Sequence, residues 1–455
     1  MKLPLTPPDQ NTFLQRLLSQ QPEQLAQLLM TGIGPCDAKG QYLHWDKLRH
    51  LNPPAGMTPE LHWAAIKMAR KKLSRSVPLY NKNQQAFSYC IPDTLMRHLL
   101  WISEQATGSI EADGVVRDTK IRQQYLISSL MEESISSSQL EGASTTRRVA
   151  KELLRSGRKP MDHSEQMIVN NYRAMQFIRE YRYEQLTPLL VFELHRILTE
   201  GTLDAADQDK AGQFRTSADD ICVFSQDDVL LHVPPKSVEL EQRLQAVCDF
   251  ANALDETDDQ FIPPIIRAII VHFMMGYDHP FVDGNGRTAR ALFYWIMSRA
   301  NYWLMEYISI SRVIRKAPAR YMKAYLYTET DDNDLTYFLD HQLEVIREAI
   351  NDLHQYLSRK MQEQRESENV LNRSSLQGRL NHRQRALLEH ALKHPGHEYT
   401  IREHQTAHDV VYQTARTDLM TLSDHFRLLR KHKIGKKDVF IAPADLNRII
   451  SKMPA

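Results

Sequence analysis

The sequence predicts a mainly α-helical protein of several domains. Apolar residues recur with helical spacing through the middle of the chain, strand-like patterns are short, and 42% of the 455 residues are hydrophobic. This length and composition are sufficient for two to four domains with substantial cores. The clearest helical segments are residues 172–181, 186–198, 238–254, 264–277, 288–299 and 335–364.

The first 115 residues are expected to form a helical N-terminal region. Residues 11–30 and 59–74 are amphipathic, and prolines at positions 53, 54 and 92 separate the segments. In the middle of the chain, residues 221–224 and 229–233 are apolar and flank a polar turn at 225–228. That pattern predicts a β-hairpin.

The run HPFVDGNGR begins at His279, and Arg290 follows it three residues later. Its glycines and asparagine tolerate a positive φ, and the apolar residues 288–297 predict a helix directly after the turn. Unpaired N–H groups and the positive end of the helix dipole bind phosphate at such a junction. Arg287 and Arg290 lie three residues apart on the first turn, where both can reach phosphate oxygens. An imidazole titrates near neutrality, so the run predicts a phosphate-transfer site with a histidine base.

This run resembles the signature of the Fic family of nucleotidyltransferases, H-P-F-x-D/E-G-N-G-R-x-x-R, and matches it at every fixed position. The resemblance implies a Fic-type helical core over residues 116–364, with the catalytic motif at 279–290. It implies that His279 takes the proton from a Ser, Thr or Tyr hydroxyl of a target protein, with ATP as the substrate. Asp283 would hold Mg²⁺ on the α- and β-phosphates.

The resemblance also assigns the phosphate contacts. Gly284, Asn285 and Gly286 would form the anion cradle, while Arg287 would contact the β-phosphate and Arg290 the γ-phosphate. The related Doc toxins phosphorylate their target and carry Lys where this chain has Gly286. Gly286 therefore favours transfer of the α-phosphate with release of pyrophosphate, which is AMP transfer. Phosphocholine transfer also occurs in the family, but no residue here indicates it.

A second motif lies upstream, where Ser137, Glu141 and Gly142 fit S/T-x-x-x-E-G/N. In one class of Fic proteins this motif lies on an inhibitory helix, here at about residues 126–142. On a helix Ser137 and Glu141 share a face. The resemblance implies that Glu141 pairs with Arg290 in place of the γ-phosphate. The residues alone also permit a solvated glutamate near a helix end, with Gly142 as a left-handed cap.

Residues 194–198 and 212–215 are similar to two weaker family segments that precede the predicted hairpin. In the family this hairpin is a flap that holds an extended target segment by strand pairing. A surface hairpin without a partner is the alternative. His195 and His272 lie on apolar helical faces and are predicted to be packing residues, and no His or Cys spacing is expected to hold zinc.

Residues 379–455 are predicted to form a separate domain after a polar linker at 365–378. We expect helices at 381–393, 400–407 and 410–424, with Asp409 as N-cap of the third and Val411, Ala415, Leu419 and Leu422 on its inner side. A hairpin of residues 426–430 and 438–442 follows, around a basic turn at 431–437. The pattern, with TARTDLMTL at 414–422, resembles the bacterial winged helix-turn-helix family.

The charge distribution favours a polyanionic partner for this domain. Residues 371–455 hold 15 Lys and Arg against 8 Asp and Glu, a balance of +7, whereas residues 1–370 carry −6. The resemblance implies DNA binding, with the third helix in the major groove and the wing on phosphates. Such modules also serve in protein docking or dimer packing. The candidate DNA-binding residues are Gln413, Arg416, Thr417, Lys433, Lys436 and Lys437.

Composition predicts a cytoplasmic protein without membrane association. Four scattered cysteines suggest reduced thiols, and the sequence has neither a transmembrane run nor a signal-peptide pattern. The oligomeric state is not specified, and a homodimer is one of the states left open. The alternatives to an AMP-transferring enzyme are a DNA-binding transcriptional regulator with a sensory or inactive Fic domain, and a purely regulatory protein partner.

Overall fold

The computed structural model describes residues 2–107, 119–219, 221–225, 227–253, 261–372, 376, 378–434 and 437–453. Within these residues the chain is mainly helical, as predicted, and divides into two compact units, Met1–Leu353 and His354–Ala455. No helix in the described ranges combines the length and apolarity that crossing a bilayer requires.

The first unit contains two short hairpins among many helices. Its helices are α1 Gln10–Gln20, α2 Pro22–Met30, α3 Trp45–Leu48, α4 Pro59–Leu73, α5 Asp93–Thr107, α6 Thr119–Leu140, α7 Arg147–Ser156, α8 His163–Glu180, α9 Pro188–Thr199, α10 Leu240–Asn252, α11 Pro264–Asp278, α12 Asn285–Arg299, α13 Ile310–Ile314 and α14 Pro318–Thr330. Its strands are β1 Arg75–Tyr80 paired with β2 Ala86–Tyr89, and β3 Val223–Phe224 paired with β4 Leu230–His232, both antiparallel. The long helix α15 Thr336–Asn372 continues past the boundary between the units.

Local sequence explains where several helices begin. Thr58 and Thr187 accept a hydrogen bond from the third backbone N–H of α4 and α9, and a proline follows each of them at the first helical position. Asp162 caps α8 in the same way. Gly157 ends α7 in the left-handed conformation, at φ +65°.

The core of the first unit is built around α11 and α12. Nearly every residue of both helices is buried, which is typical of central helices rather than amphipathic surface helices. The β1–β2 hairpin adds Val77, Leu79, Phe87 and Tyr89 to the same core. This hairpin was not predicted, although its inward residues alternate with a period of two around a turn rich in asparagine.

Buried polar contacts join the N-terminal region to the turn between α14 and α15. Lys67 Nζ lies 2.8 Å from Asp331 Oδ1, and Arg70 donates to the Tyr337 hydroxyl at 2.6 Å. The Tyr42 hydroxyl donates to Asp334 Oδ2 at 2.6 Å. The N-terminal region and residues 279–290 therefore belong to one compact unit.

The second unit contains α16 His382–Lys393, β5 Glu398–Thr400, α17 Ile401–His408, α18 Tyr412–Met420, β6 Arg430–Ile434, β7 Lys437–Ile441 and α19 Leu446–Ser451. The three strands form an antiparallel sheet in the order β5-β7-β6. Its core includes Leu388, Ala415, Leu419, Leu422 and Phe440.

Several predicted boundaries in this part of the chain were wrong. Residues 365–372, expected as linker, are the last turns of α15. Asp409 does not cap the third helix but ends α17 in the left-handed conformation, which short polar residues tolerate, and Val411 is the N-cap of α18 and 68% exposed. The third helix is shorter than expected and passes into a π turn at Thr421–His425. The hairpin starts at Arg430 rather than residue 426, so Lys431 and Lys433 lie on β6 and not in a turn.

Candidate active site

His279 lies where α11 ends. It is the C-cap residue, with φ +45° and ψ 58°, so a side chain occupies a conformation that glycine normally fills. Its Nδ1 lies 3.2 Å from the Gly276 carbonyl oxygen. A proton on Nδ1 satisfies that carbonyl and leaves the Nε2 lone pair free. Burial first, and then the nearby His232 and Arg215, lower the pKa of His279 to about 4, so the imidazole is neutral at pH 7 and can accept a proton.

Arg215 fixes the backbone on both sides of His279. Its own N–H donates to Pro280 O at 2.9 Å, its Nε to His279 O at 2.7 Å, and its Nη2 to Asp278 O at 3.3 Å. The last carbonyls of a helix have no intrahelical donor, so a buried guanidinium supplies what α11 cannot. Arg215 therefore holds the strained turn that presents His279.

The β3–β4 hairpin is attached to the same helix end. His232 on β4 lies 2.7 Å from the Tyr277 carbonyl oxygen through Nε2 and 2.7 Å from Glu329 through Nδ1. Lys82 on the β1–β2 turn donates to the Val233 carbonyl. This hairpin is thus anchored two residues before His279.

The turn after His279 opens onto the start of α12. Gly284 has φ +79° and precedes Asn285 without providing a side-chain cap. The Asn285 amide accepts from Phe281 N–H at 3.0 Å and donates to Phe281 O at 2.8 Å, which closes the loop on itself. The backbone N–H groups of residues 285–287 have no acceptor within the helix, so they remain available to an anion.

His195 supports this turn from α9. Its ring stacks on Phe281 with centroids 3.8 Å apart, Nε2 lies 2.9 Å from the Asp283 carbonyl oxygen, and Nδ1 accepts from the Gly212 N–H at 2.9 Å. Gly284 has no room for a side chain, because a Cβ there would lie 2.8 Å from Thr199. His195 is buried, as a packing residue should be. It also holds the backbone of Asp283 in place.

Asp283 and Arg287 pair with each other one helical turn apart. The Asp283 carboxylate is 56% exposed and accepts from Arg287 Nη2 at 2.6 Å. The Arg287 side chain is 1% exposed and also donates to Leu198 O at 3.1 Å. Arg287 therefore fixes the carboxylate and α9 rather than projecting from the loop.

The exposed face of Asp283 fits a magnesium ion held by one carboxylate together with phosphate oxygens and water. A cage of protein ligands is a different arrangement, and the described residues contain no group of three His, Cys, Asp or Glu side chains placed to hold a metal.

Arg290 meets the upstream motif. Its side chain is 1% exposed, and Nη2 lies 2.7 Å from Glu141 Oε1. Nε donates to Ser137 Oγ at 3.0 Å, and Nη2 also reaches the Ser137 carbonyl at 3.2 Å. Gly142 has φ +97° and turns the chain directly after α6. The structure brings together the two motifs that the sequence separates by more than 130 residues.

Gly286 gives Glu141 the space it occupies. A Cβ built at Gly286 would lie 2.3 Å from Glu141 Oε1 and 3.1 Å from Arg290 Nη1. Any side chain at position 286 would therefore displace the Glu141 carboxylate.

The sequence predicted His195 only as a packing residue and gave Arg215 no role. Both lie in segments whose motif similarity was noted, Leu-His at 194–195 and Gly-Gln-Phe-Arg at 212–215. His195 lies in an apolar stretch of the sequence, whereas Arg215 has mostly polar neighbours, and only the fold shows that both act on one loop.

The candidate DNA-binding residues lie in the second unit. Gln413, Arg416 and Thr417 are exposed on α18, Lys433 is exposed on β6 and Lys437 begins β7, whereas Lys436 lies outside the described residues. Two pairs of histidines in this unit, His390/His394 and His404/His408, are four residues apart, with ring centroids 4.3 Å and 4.6 Å apart, but neither belongs to a group of three metal-ligating side chains among the described residues.

Comparison with known proteins supports the assignment of the motif. Residues 185–297 match the Fic/DOC family model. A protein adenylyltransferase Fic from Nematostella vectensis is 32% identical over 149 residues, which are 32% of this chain and 31% of that protein. The protein adenylyltransferase fic-1 of Caenorhabditis briggsae is 34% identical over 112 residues, 25% of this chain and 19% of that protein. The chain thus spans about a third or less of the length of these curated relatives.

A solved structure has the same fold over a longer stretch. The crystal structure of a Fic family protein from Desulfovibrio desulfuricans G20 superposes with a TM-score of 0.50 at 16% identity, covering 78% of this chain and 97% of that one. The matched residues span α9, the β3–β4 hairpin, α10, α11 and most of α12, and they include His195, Arg215, His279 and Arg290. Residues 185–297 of this chain therefore match the Fic/DOC family.

Proposed function

We propose that this protein transfers AMP from ATP to a Ser, Thr or Tyr hydroxyl of target proteins and of itself. The observation that carries the proposal is the neutral His279, with Nδ1 turned to Gly276 O and Nε2 free, beside the uncapped start of α12. A proton acceptor thus lies beside an anion site. This arrangement is required for a hydroxyl group to lose its proton and attack a phosphate.

In the proposed reaction, His279 Nε2 accepts the proton of the target hydroxyl as its oxygen bonds to the α-phosphorus. The bond from that phosphorus to the bridging oxygen of the β-phosphate breaks, and pyrophosphate leaves. The N–H groups of residues 285–287 and the Arg290 guanidinium bind the phosphate oxygens. Asp283 is the residue that would hold Mg²⁺, which neutralises charge on the phosphates when bound.

The flap is proposed to hold the target. Phe224 and Leu230 are exposed apolar side chains on its two short strands, and strand pairing tolerates many target sequences. Because His232 ties β4 to Tyr277 O, a segment paired with the flap would lie near His279. This supports a protein target rather than a small acceptor.

The resting state is proposed to be self-inhibited. Glu141 pairs with Arg290, the arginine that is proposed to bind the γ-phosphate. Ser137 accepts a hydrogen bond from the same guanidinium. ATP placed with its γ-phosphate on Arg290 must first displace Glu141. The pair is buried on the arginine side, so two negative groups cannot share it without a large electrostatic cost.

The test is labelling of the Glu141→Gly variant with ATP that carries a label on the α-phosphate, alone and in cell lysate, followed by mass spectrometry of the labelled proteins. We expect AMP on the variant itself and on discrete lysate proteins, at a level well above that of the unchanged protein. His279→Ala in the same background should lose about 10²–10⁴ of the rate. Label from the γ-phosphate instead of the α-phosphate would replace AMP transfer by phosphorylation, and absence of both labels would favour a sensory or regulatory Fic domain.

For the second unit we propose a winged helix-turn-helix that binds DNA. The element order α16-β5-α17-α18-β6-β7 and the exposed Gln413, Arg416 and Thr417 on α18 support this proposal. The balance of +7 in residues 371–455 supports an anionic partner. The activity proposed above does not depend on this unit.

A further inference from the structure

Helix α6, which precedes Glu141, buries an unusual number of polar side chains. Glu133, Ser134, Ser136, Ser137 and Ser138 on α6 are all at most 2% exposed. A helix normally docks through an apolar stripe, which is indifferent to small shifts in register. Polar residues of α6 instead make hydrogen bonds of defined geometry to other helices: Ser138 Oγ donates to Met167 O at 3.1 Å, and Ser137 Oγ accepts from Arg290 Nε at 3.0 Å.

Glu133 has the most demanding of these contacts. Its Oε2 accepts from the Tyr294 hydroxyl at 2.9 Å, the Ser309 hydroxyl at 2.7 Å and the Ser311 N–H at 3.2 Å, and its Oε1 accepts from the Ser311 hydroxyl. The donors come from α12 and from the start of α13. A buried carboxylate without such donors would be strongly unfavourable, so this position of α6 is specified by the donors.

Two carboxylates, Glu133 on α6 and Glu141 directly after it, contact one face of α12. Residues 119–141 are called the α6 segment below. Glu141 contacts Arg290 and Glu133 contacts Tyr294, which follows Arg290 by one helical turn. The α6 segment is thus attached to the catalytic helix at two points, one of them inside the nucleotide site and the other outside it. Only the outer point is free of any role in nucleotide binding.

We propose that Glu133 is a positioning residue that fixes α6 in the register in which Glu141 reaches Arg290. Without it, α6 would keep its apolar contacts at Leu130, Met131 and Ile135 but could shift relative to α12. Loss of the hydrogen bonds from Ser309 and Ser311 to Glu133 would then let Glu141 leave Arg290 without any change at the nucleotide site. The inference rests on the proposed inhibition by Glu141.

Glu133→Gln in the full-length protein tests the inference, with Glu132→Gln as matched control. Glu132 is the preceding residue of the same helix, but it pairs with Arg147 and Lys151 on α7 and not with α12. Hydrogen bonds to a charged group shift an equilibrium by roughly tenfold or more, so self-labelling with ATP should rise by about that factor in Glu133→Gln. Glu132→Gln should stay within about twofold of the unchanged protein, because the ion pairs of Glu132 with Arg147 and Lys151 are partly exposed and contribute little.

The double variant Glu133→Gln/Glu141→Gly separates the proposed route from others. Because Glu133 acts through Glu141, labelling should equal that of Glu141→Gly alone. Unchanged labelling in Glu133→Gln, or the same rise in both backgrounds, would overturn the inference. If the variant does not fold, Tyr294→Phe removes one donor to the same carboxylate and should give a smaller rise that also disappears in the Glu141→Gly background.

A second measurement distinguishes failure of this inference from failure of the proposed AMP transfer. If Glu141→Gly itself transfers no AMP, hydrogen exchange of the α6 amides still reports the anchor. Exchange should be faster in Glu133→Gln than in Glu132→Gln, and equal exchange in the two variants would refute the anchoring role without reference to activity.

Discussion

At the residue scale, the site depends on one histidine held in an unfavourable backbone conformation. His279 has φ +45°, and three groups of Arg215 bind the carbonyls of residues 278–280 around it. Left-handed conformations of non-glycine residues cost free energy and persist where neighbouring contacts enforce them. The strain is thus balanced by the capping of the end of α11, and the capping group is a cation that also disfavours protonation of the imidazole.

The lowered pKa of His279 predicts the pH dependence of transfer. The base must be neutral, and burial brings its pKa to about 4, below its ordinary value of 6.5, so the reactive form is present above pH 4 and is lost as the pH falls through that value. In the Glu141→Gly protein, at saturating ATP and Mg²⁺, the maximal rate should be flat between about pH 6 and 7. Circular dichroism at each pH controls for unfolding, and a midpoint near 6.5 would contradict the buried, neutral histidine.

At the element scale, the sequence predicted several helices of the first unit, including α9 to α12, but neither α5, α7, α13 and α14 nor what the helix ends contact. The upstream motif was expected on a helix at about residues 126–142, whereas α6 ends at Leu140, so Glu141 and Gly142 directly follow the helix. The pairing of Glu141 with Arg290 was expected from the resemblance, and the two side chains are in contact at 2.7 Å. The polar anchor at Glu133 could not be read from the sequence, because its donors come from Tyr294, Ser309 and Ser311, far along the chain.

The contact between the end of α6 and the start of α12 predicts the effect of Gly286→Ala. The added Cβ would meet Glu141 Oε1, the movable end of a side chain, so Glu141 should leave Arg290 at little cost to the fold. Self-labelling with ATP should rise severalfold and remain below that of Glu141→Gly.

The double variant Gly286→Ala/Glu141→Gly is the control for a direct effect on nucleotide binding. Labelling equal to Glu141→Gly places the effect on Glu141, whereas a marked loss would show that the methyl group obstructs ATP. Reduced labelling in Gly286→Ala alone would contradict the prediction.

At the scale of the whole molecule, opposite net charges distinguish the two parts of the chain. Residues 371–455 carry +7 and the rest −6, so DNA binding is expected only of the second unit. In the full-length protein, Lys433→Gln and Lys437→Gln should weaken binding to all duplexes alike, and each lost phosphate contact should reduce the slope of log affinity against log salt by about 0.9. Gln413→Ala or Arg416→Ala should change the preferred sequence instead.

Lys393→Gln, on α16, is the control of equal charge change for these variants. Fluorescence anisotropy with labelled duplexes at several salt concentrations is the measurement. A slope that does not respond to the β6 and β7 lysines, or no salt-sensitive binding by the unchanged protein, would favour protein docking as the role of the unit.

The sequence by itself determined the mainly helical class, the catalytic run from His279 to Arg290 and the upstream Glu141 motif, because each depends on residues close together in the chain. Helical periodicity, glycine in turns and an uncapped helix start are local properties. Only the tertiary structure decided that Arg215 and His195 hold the catalytic loop, that Arg287 faces inward to Asp283 and Leu198, and that Glu133 anchors α6. Apart from the local pair of Arg287 with Asp283, these contacts join residues tens to more than a hundred positions apart, and a buried polar group is specified by the partners that surround it rather than by its neighbours in sequence.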